Sequence, residues 1–149
     1  FVPIGTAIRS RDGKSYRNAH NMPFTSDLSG QDFWTLLRTG YRPVGMVMGN
    51  CVYHVSRQGL GQWFNRLGRN VEMTNYTQAL YDARELSMER MQTEAVSLKA
   101  EGIVGAQIVE RSHGWGSHVI EFFAVGTAVI SISDDHQAPA PSLSLLLND

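Results

Sequence analysis

Between Asn75 and Ile132 the apolar residues switch from the three-and-four spacing of a helix to the runs of a strand, and this switch limits what the chain can fold into. Tyr76, Leu80, Ala83, Met91, Ala95 and Leu98 share one helical face, while Gln78, Asp82, Glu85, Glu89 and Gln92 fall elsewhere. The spacing predicts a helix from Asn75 to about Ala100. Asn75 and Gln78 have the form of a reciprocal cap, and Gly102 is the expected left-handed stop. Such a rod is about 39 Å long at about 1.5 Å per residue and needs cover along its length. Ala79, Leu86 and Met88 widen its apolar sector beyond one stripe. Either a broad internal core or another subunit must cover that sector. Ile103–Val109 and His118–Ile132 are β-rich runs broken by Ser112-His113-Gly114-Trp115-Gly116-Ser117, which predicts an antiparallel hairpin.

Upstream, Tyr41 to Val55 is rich in Val, Met and Tyr and reads as a first strand. Gly45 and Gly49 inside it imply close approach of an aromatic ring or of the long helix. Before it, Phe33, Trp34, Leu36 and Leu37 fit a short amphipathic helix over Gln31 to Thr39, capped by Ser29 and stopped by Gly40. Gln62–Leu67 can form another short helix before Gly68. Helix, then hairpin, after a leading strand makes this an α+β domain with a β-α-β-β core.

Charge and cysteine content narrow the function classes. A net charge of −1 over 149 residues leaves no positive field for a phosphate backbone, and no stretch combines clustered Lys/Arg with aromatics, so nucleic acid is not the expected partner. The longest apolar run, Ile120 to Ile132, carries Glu121 and is too short to span a bilayer as a helix, which leaves no membrane segment in the reading. A single cysteine, Cys51, allows no internal disulfide and is compatible with a cytoplasmic location. No Gly-x-Ser-x-Gly, His-Glu-x-x-His, Walker or paired-Cys motif occurs, and no catalytic residue is assigned. The expectation is a non-enzymatic domain.

An internal echo bears on domain organisation. Phe1-Val2-Pro3-Ile4-Gly5-Thr6-Ala7-Ile8 aligns with Phe122-Phe123-Ala124-Val125-Gly126-Thr127-Ala128-Val129. Residues 1–8 therefore read as the last strand of a preceding repeat, residues 9–29 as a linker, 30–132 as the domain, and 133–149 as a Pro-containing linker with the apolar tail Leu143–Leu147. The chain reads as part of a longer tandem-repeat protein. Chance similarity between two Gly-Thr-Ala strands is the alternative.

Ala83-Arg84-Glu85, Glu94-Ala95, Gly102-Ile103-Val104-Gly105 and Ala124-Val125-Gly126-Thr127-Ala128-Val129 occur in an order that resembles the YbjQ-like family, described in terms of heavy-metal binding. Val44-Gly45-Met46-Val47-Met48-Gly49 is similar to that family's first strand. The resemblance covers roughly Pro43 to Ile132. It implies a dodecin-like β-α-β-β subunit and a ring-shaped homo-oligomer, commonly five-fold. The Gln31–Gly40 element and the tail depart from the short single-domain pattern, as does Lys99-Ala100-Glu101-Gly102 before the Ile-Val-Gly strand.

A divalent heavy-metal ion is the cofactor that the family description invites, and Cys51, His113 and His118 are the candidate ligands. Cys51 and His54 are three apart on a strand and face opposite sides, so they cannot chelate one ion without a bulge. A buried, inert thiol is the plainer reading of Cys51. His113 and His118 flank the hairpin turn and would supply half a tetrahedral site, or remain exposed loop residues. Glu94 falls on the apolar helix face and needs a partner. Arg90, one turn earlier, is the local choice, and a subunit interface or channel the functional one. Trp115, between two glycines, could stack a planar ligand or pack on a neighbour.

Overall fold

The computed structural model describes residues 4–54, 71–112 and 119–137, with backbone alone for residues 54, 71–77, 79 and 112. The elements run α1 (Gly30–Arg38), β1 (Tyr41–His54), α2 (Val71–Ser97), β2 (Gly102–Ser112) and β3 (Val119–Ser131). The strands form one antiparallel sheet in the order β1-β3-β2, with α2 packed against it. The α+β class, the β-α-β-β order and the antiparallel hairpin expected from the sequence are all present. The expected helix at Gln62–Leu67, the hairpin tip at 113–118 and the tail Leu143–Leu147 lie outside the described residues.

β3 is the central strand, paired along both edges; its buried residues alternate at its start and become continuous at its end, where the second face is covered as well. One core cluster joins Val44 and Val47 of β1, Met91 and Ala95 of α2, and Ala124 and Ala128 of β3. A second joins Cys51, Ala83, Ile120 and Phe122. The facing residues are small, and the helix therefore sits close. A Cβ at Gly45 would lie 2.6 Å from Leu98, and a Cβ at Gly49 would coincide with the Ser87 carbonyl oxygen. The two β1 glycines make room for the long helix, one of the two occupants their positions implied.

The buried helix stripe contains a residue that apolar spacing alone skips. Ser87 fills the gap between Ala83 and Met91, is fully buried, and donates its hydroxyl to the Arg84 carbonyl at 2.7 Å. A serine is accepted there because its own helix supplies the acceptor.

Two expectations about the ends of α2 need correction. The helix begins at Val71, which puts Asn75 inside the second turn instead of at the cap. Gly102 is not the stop either, since it already belongs to β2. Lys99 takes the left-handed position, at φ 56°. Its amide donates to the Val96 carbonyl at 2.9 Å, and the Ala100 amide to the Ala95 carbonyl at 3.1 Å. These paired bonds close the last helical turn and require a left-handed residue where the side chain is a lysine. Lys99→Gly should therefore raise stability by about 0.5–1 kcal/mol, the left-handed penalty less the extra freedom of glycine in the unfolded chain. The urea midpoint at fixed protein concentration measures it.

The entry into β1 follows the sequence reading closely. Ser29 caps α1, accepting the Asp32 amide at 3.1 Å while donating its hydroxyl to the Asp32 carboxylate at 2.6 Å. Gly40 ends the helix at φ 81°. Its missing side chain also admits the chain leaving β3: Ile132 donates to the Gly40 carbonyl at 2.8 Å, and His136 stacks on Tyr41 with centroids 4.3 Å apart. Further upstream, Asp12 gathers Ser10, Tyr16 and the Lys14 amide. Those hydrogen bonds hold its carboxyl down at about 2.

Candidate functional site

The two outer strands finish the sheet in different ways. In an antiparallel strand one residue's N–H and C=O point to the same side, so alternate residues of an outer strand face away from the sheet. On β1 those residues include Met46, Met48, Asn50 and Val52, and at the first three one backbone group is met by a side chain. The Met46 amide donates to Thr25 Oγ1 at 3.0 Å, the Met48 amide to Glu94 Oε2 at 2.6 Å, and the Asn50 carbonyl accepts from Arg90 Nη1. Helix α2 thus seals the β1 edge with one acid and one base a single turn apart.

β2 carries no such cover. Because Gly45, Val47 and Gly49 turn inward toward β3, the even residues of β3 face β1 and its odd residues face β2. The register Gln107↔Val125, Val109↔Phe123 and Arg111↔Glu121 then turns the odd residues of β2 inward and leaves the backbone of Ile108 and Glu110 pointing out. Among the described residues nothing meets those groups. Nor does Pro or Lys interrupt β2, two common guards of an edge.

Among the described residues the face of the sheet opposite α2 is covered only at one end. There the segment Thr25–Leu28 runs across all three strands: Thr25 bonds β1, Ser26 and Asp27 bond Thr127 of β3, and Leu28 lies 3.0 Å from the position of a Cβ on Gly105 of β2. Thr127, fully buried, donates to Asp27 Oδ1 at 2.5 Å and shares a hydrogen bond with Ser26 Oγ at 3.1 Å. This part of the stretch read as a linker is a strap packed on the domain. Beyond it Met48 is 42% exposed and Val52 59%, with Phe123 and Val125 between them and Val109 alongside. The outer side of α2 is open as well, with Tyr81 60% and Val96 72% exposed. Leu86 and Met88 belong to that side, as the widened apolar sector predicted, whereas Tyr81 and Val96 were missed because they fall outside the counted stripes.

Of the residues proposed from sequence as a site, Cys51 and Glu94 are described. His113, Trp115 and His118 lie outside the described residues. Cys51 is a buried free thiol between Ala83, Ile120 and Phe122. The pairing runs unbroken from Cys51↔Phe122 to His54↔Val119, without the bulge that chelation of one ion by both residues would need. Glu94 is exposed and bonded to β1, and Arg90 serves a β1 carbonyl, so each has a backbone partner in place of the ion pair that their spacing suggested. Among the described residues no three His, Cys, Asp or Glu side chains gather as a metal site, and no helix is long and apolar enough to cross a membrane. The edge seal could not be found from periodicity, because it depends on which strand α2 lies over.

A family model described as "Putative heavy-metal-binding", YbjQ, matches residues 39–132. The chain belongs to the YbjQ family. The matched span begins just before β1 and ends just after β3, so it is the sheet and α2 that define the YbjQ domain. A protein of Mycobacterium tuberculosis named as an encapsulin nanocompartment protein is 47% identical over 131 residues, which is 87% of this chain and 50% of that protein. The chain thus spans about half the length of this relative. A UPF0145 protein of Clostridium perfringens is 36% identical over 88 residues, 58% of this chain and 79% of that protein. One from Helicobacter hepaticus is 35% identical over 95 residues, 62% of this chain and 88% of that protein.

Proposed function

We infer that this YbjQ domain is a non-enzymatic assembly module, whose copies join into a ring-shaped homo-oligomer, five-fold in the reading that the family suggests, within a cytoplasmic protein that contributes to a nanocompartment. The observation that carries this is the uncovered apolar surface on both outer sides of the fold: Tyr81 and Val96 on α2, and Met48 and Val52 with Phe123 on the sheet. Surface of that kind on two opposite sides suits a subunit with a neighbour on each, which is what a ring requires. The name of the mycobacterial relative supports an assembly role.

The tandem arrangement is part of the same proposal. Ile4 and Ile8 of the echo segment are exposed, 95% in the case of Ile4, as expected if they belong to the sheet of another domain. Sedimentation at tens of micromolar tests the whole reading. A mass of several copies is expected, and a strict monomer would remove it.

The family description favours a second reading, in which a divalent heavy-metal ion or a small ligand binds at the hairpin through His113 and His118, with Trp115 as a stacking surface, or at a subunit interface through Glu94. Cys51 would join such a site only if α2 moved away from it. Calorimetric titration with Zn, Cu and Ni should give a binding isotherm that the double replacement His113→Ala and His118→Ala abolishes. Equal binding by both proteins would dispose of this reading.

A further inference from the structure

We propose that the open edge of β2 is a second, two-fold contact between copies of this chain, in which β2 pairs antiparallel with β2 of another copy about an axis through Val109. This rests on the assembly reading above and names a surface for it. The asymmetry of the sheet carries the argument. A ring made by laying the β2 edge of one copy on the β1 edge of the next would need the backbone groups of Met46, Met48 and Asn50. Thr25, Glu94 and Arg90 already hold one group of each. Among the described residues β2 is therefore the edge more open to an added strand, and in an identical copy the edge that matches it is another β2.

The register follows from the side chains. Two strands related by a two-fold axis perpendicular to the sheet keep their faces, so the axis must pass through a residue of β2. Centred on Glu110 it would set two carboxylates opposite each other, and centred on Arg111 two guanidinium groups. Centred on Gln107 or Ile108 it would carry the pairing into the irregular step between Val104 and Gln107, where Gly105 has φ 64°. Centred on Val109, the outward backbone of Glu110 meets that of Ile108 in the other copy, and Arg111 lies opposite a neutral glutamine, Gln107. The two Val109 side chains then meet on the face opposite α2 and join the half-buried Phe123 and Val125 of both copies. The product is one continuous sheet in the order β1-β3-β2-β2-β3-β1 with both long helices on one face.

Two variants of the full chain test this. Glu110→Pro removes an amide that points away from the sheet, so the fold should survive while the contact is blocked. Glu110→Gln keeps the amide. By sedimentation, Glu110→Pro should have half the mass of the wild type or less, and Glu110→Gln the wild-type mass. Separately, Val109→Cys in a Cys51→Ser background should form an intermolecular disulfide under mild oxidation. Directly opposed residues in a pair that shares no hydrogen bonds have Cα atoms about 4.5 Å apart, within disulfide reach. Should Glu110→Pro fail to fold, this cross-link decides. An assembly of half the copies after Glu110→Pro supports both the ring and the two-fold contact. A monomer supports the two-fold contact and removes the ring. An unchanged mass with no cross-link overturns the β2 contact while leaving the assembly reading standing, and a monomeric wild type overturns both.

Discussion

Gly49→Ala should destabilise the domain by about 3 kcal/mol or more, an upper-range cost for one added methyl. The new Cβ would coincide with the Ser87 carbonyl oxygen and lie 2.7 Å from the Met91 amide. Both are backbone atoms in the middle of α2, so no rotamer change relieves the clash, and the helix must lift away from β1 as a body. Lifting it strains three things together: the core around Val47 and Met91, the packing over Cys51, and the Glu94 and Arg90 bonds to the β1 edge. Urea denaturation at fixed protein concentration measures the loss. Gly30→Ala is the control. It sits at the first residue of α1 with nothing within 4 Å of the added carbon, and should change stability by less than about 0.5 kcal/mol. A Gly49→Ala protein as stable as the wild type would mean that α2 does not rest on β1 as described.

Thr127→Val should cost about 2 kcal/mol. Valine keeps the shape and the β preference of threonine, so the change isolates the hydroxyl. That hydroxyl is fully buried and joins the strap to the central strand through Asp27 and Ser26. Without it the exposed Asp27 carboxylate can turn to water, but the Asp27 amide loses its acceptor, the Ser26 hydroxyl keeps only the Leu28 amide, and Thr25 is left as the strap's hydrogen bond to the sheet through Met46. Thr127→Ser keeps the donor and should lose less than half as much. Proteolysis between Thr25 and Gly30 should quicken in Thr127→Val and stay near the wild-type rate in Thr127→Ser. A smaller loss in Thr127→Val than in Thr127→Ser would show that the methyl group, and not the hydroxyl, holds this end of the sheet.

Much of the fold was legible because its signals are local. Ser29 and Gly40 bound α1 for reasons contained in a few residues: a side-chain oxygen for the first free amides, and a φ that other residues resist. The long helix and the hairpin follow from period alone. The glycines of β1 announced a close neighbour, although not which one. The reading failed where two local signals competed. Asn75 looked like a cap, yet the helical pattern of pairing continues upstream to Val71, and Gly102 looked like a stop although Lys99 had already made the turn.

The candidate surfaces were less accessible, and Glu94 illustrates why. Its position on the apolar stripe marked it as needing a partner, and Arg90 one turn away was the nearest charge. The structure sends both side chains to the β1 backbone, because α2 lies along the edge of the sheet. An ion pair between two exposed side chains is worth little. A charge-assisted bond to an amide that would otherwise face outward is worth more.

The sequence by itself determined the order of elements, the class of the fold, the face that α2 buries and the surplus of apolar residues on that helix, since each of these depends on spacing along one chain. Only the tertiary structure decided that β3 lies in the centre, that Thr25–Leu28 crosses all three strands, and that the β1 edge is covered at Met46, Met48 and Asn50 while, among the described residues, the β2 edge is not. Those features depend on which backbone groups remain unmatched after residues far apart in sequence have come together, and a hydrogen-bonding group has no sidedness until its strand has neighbours.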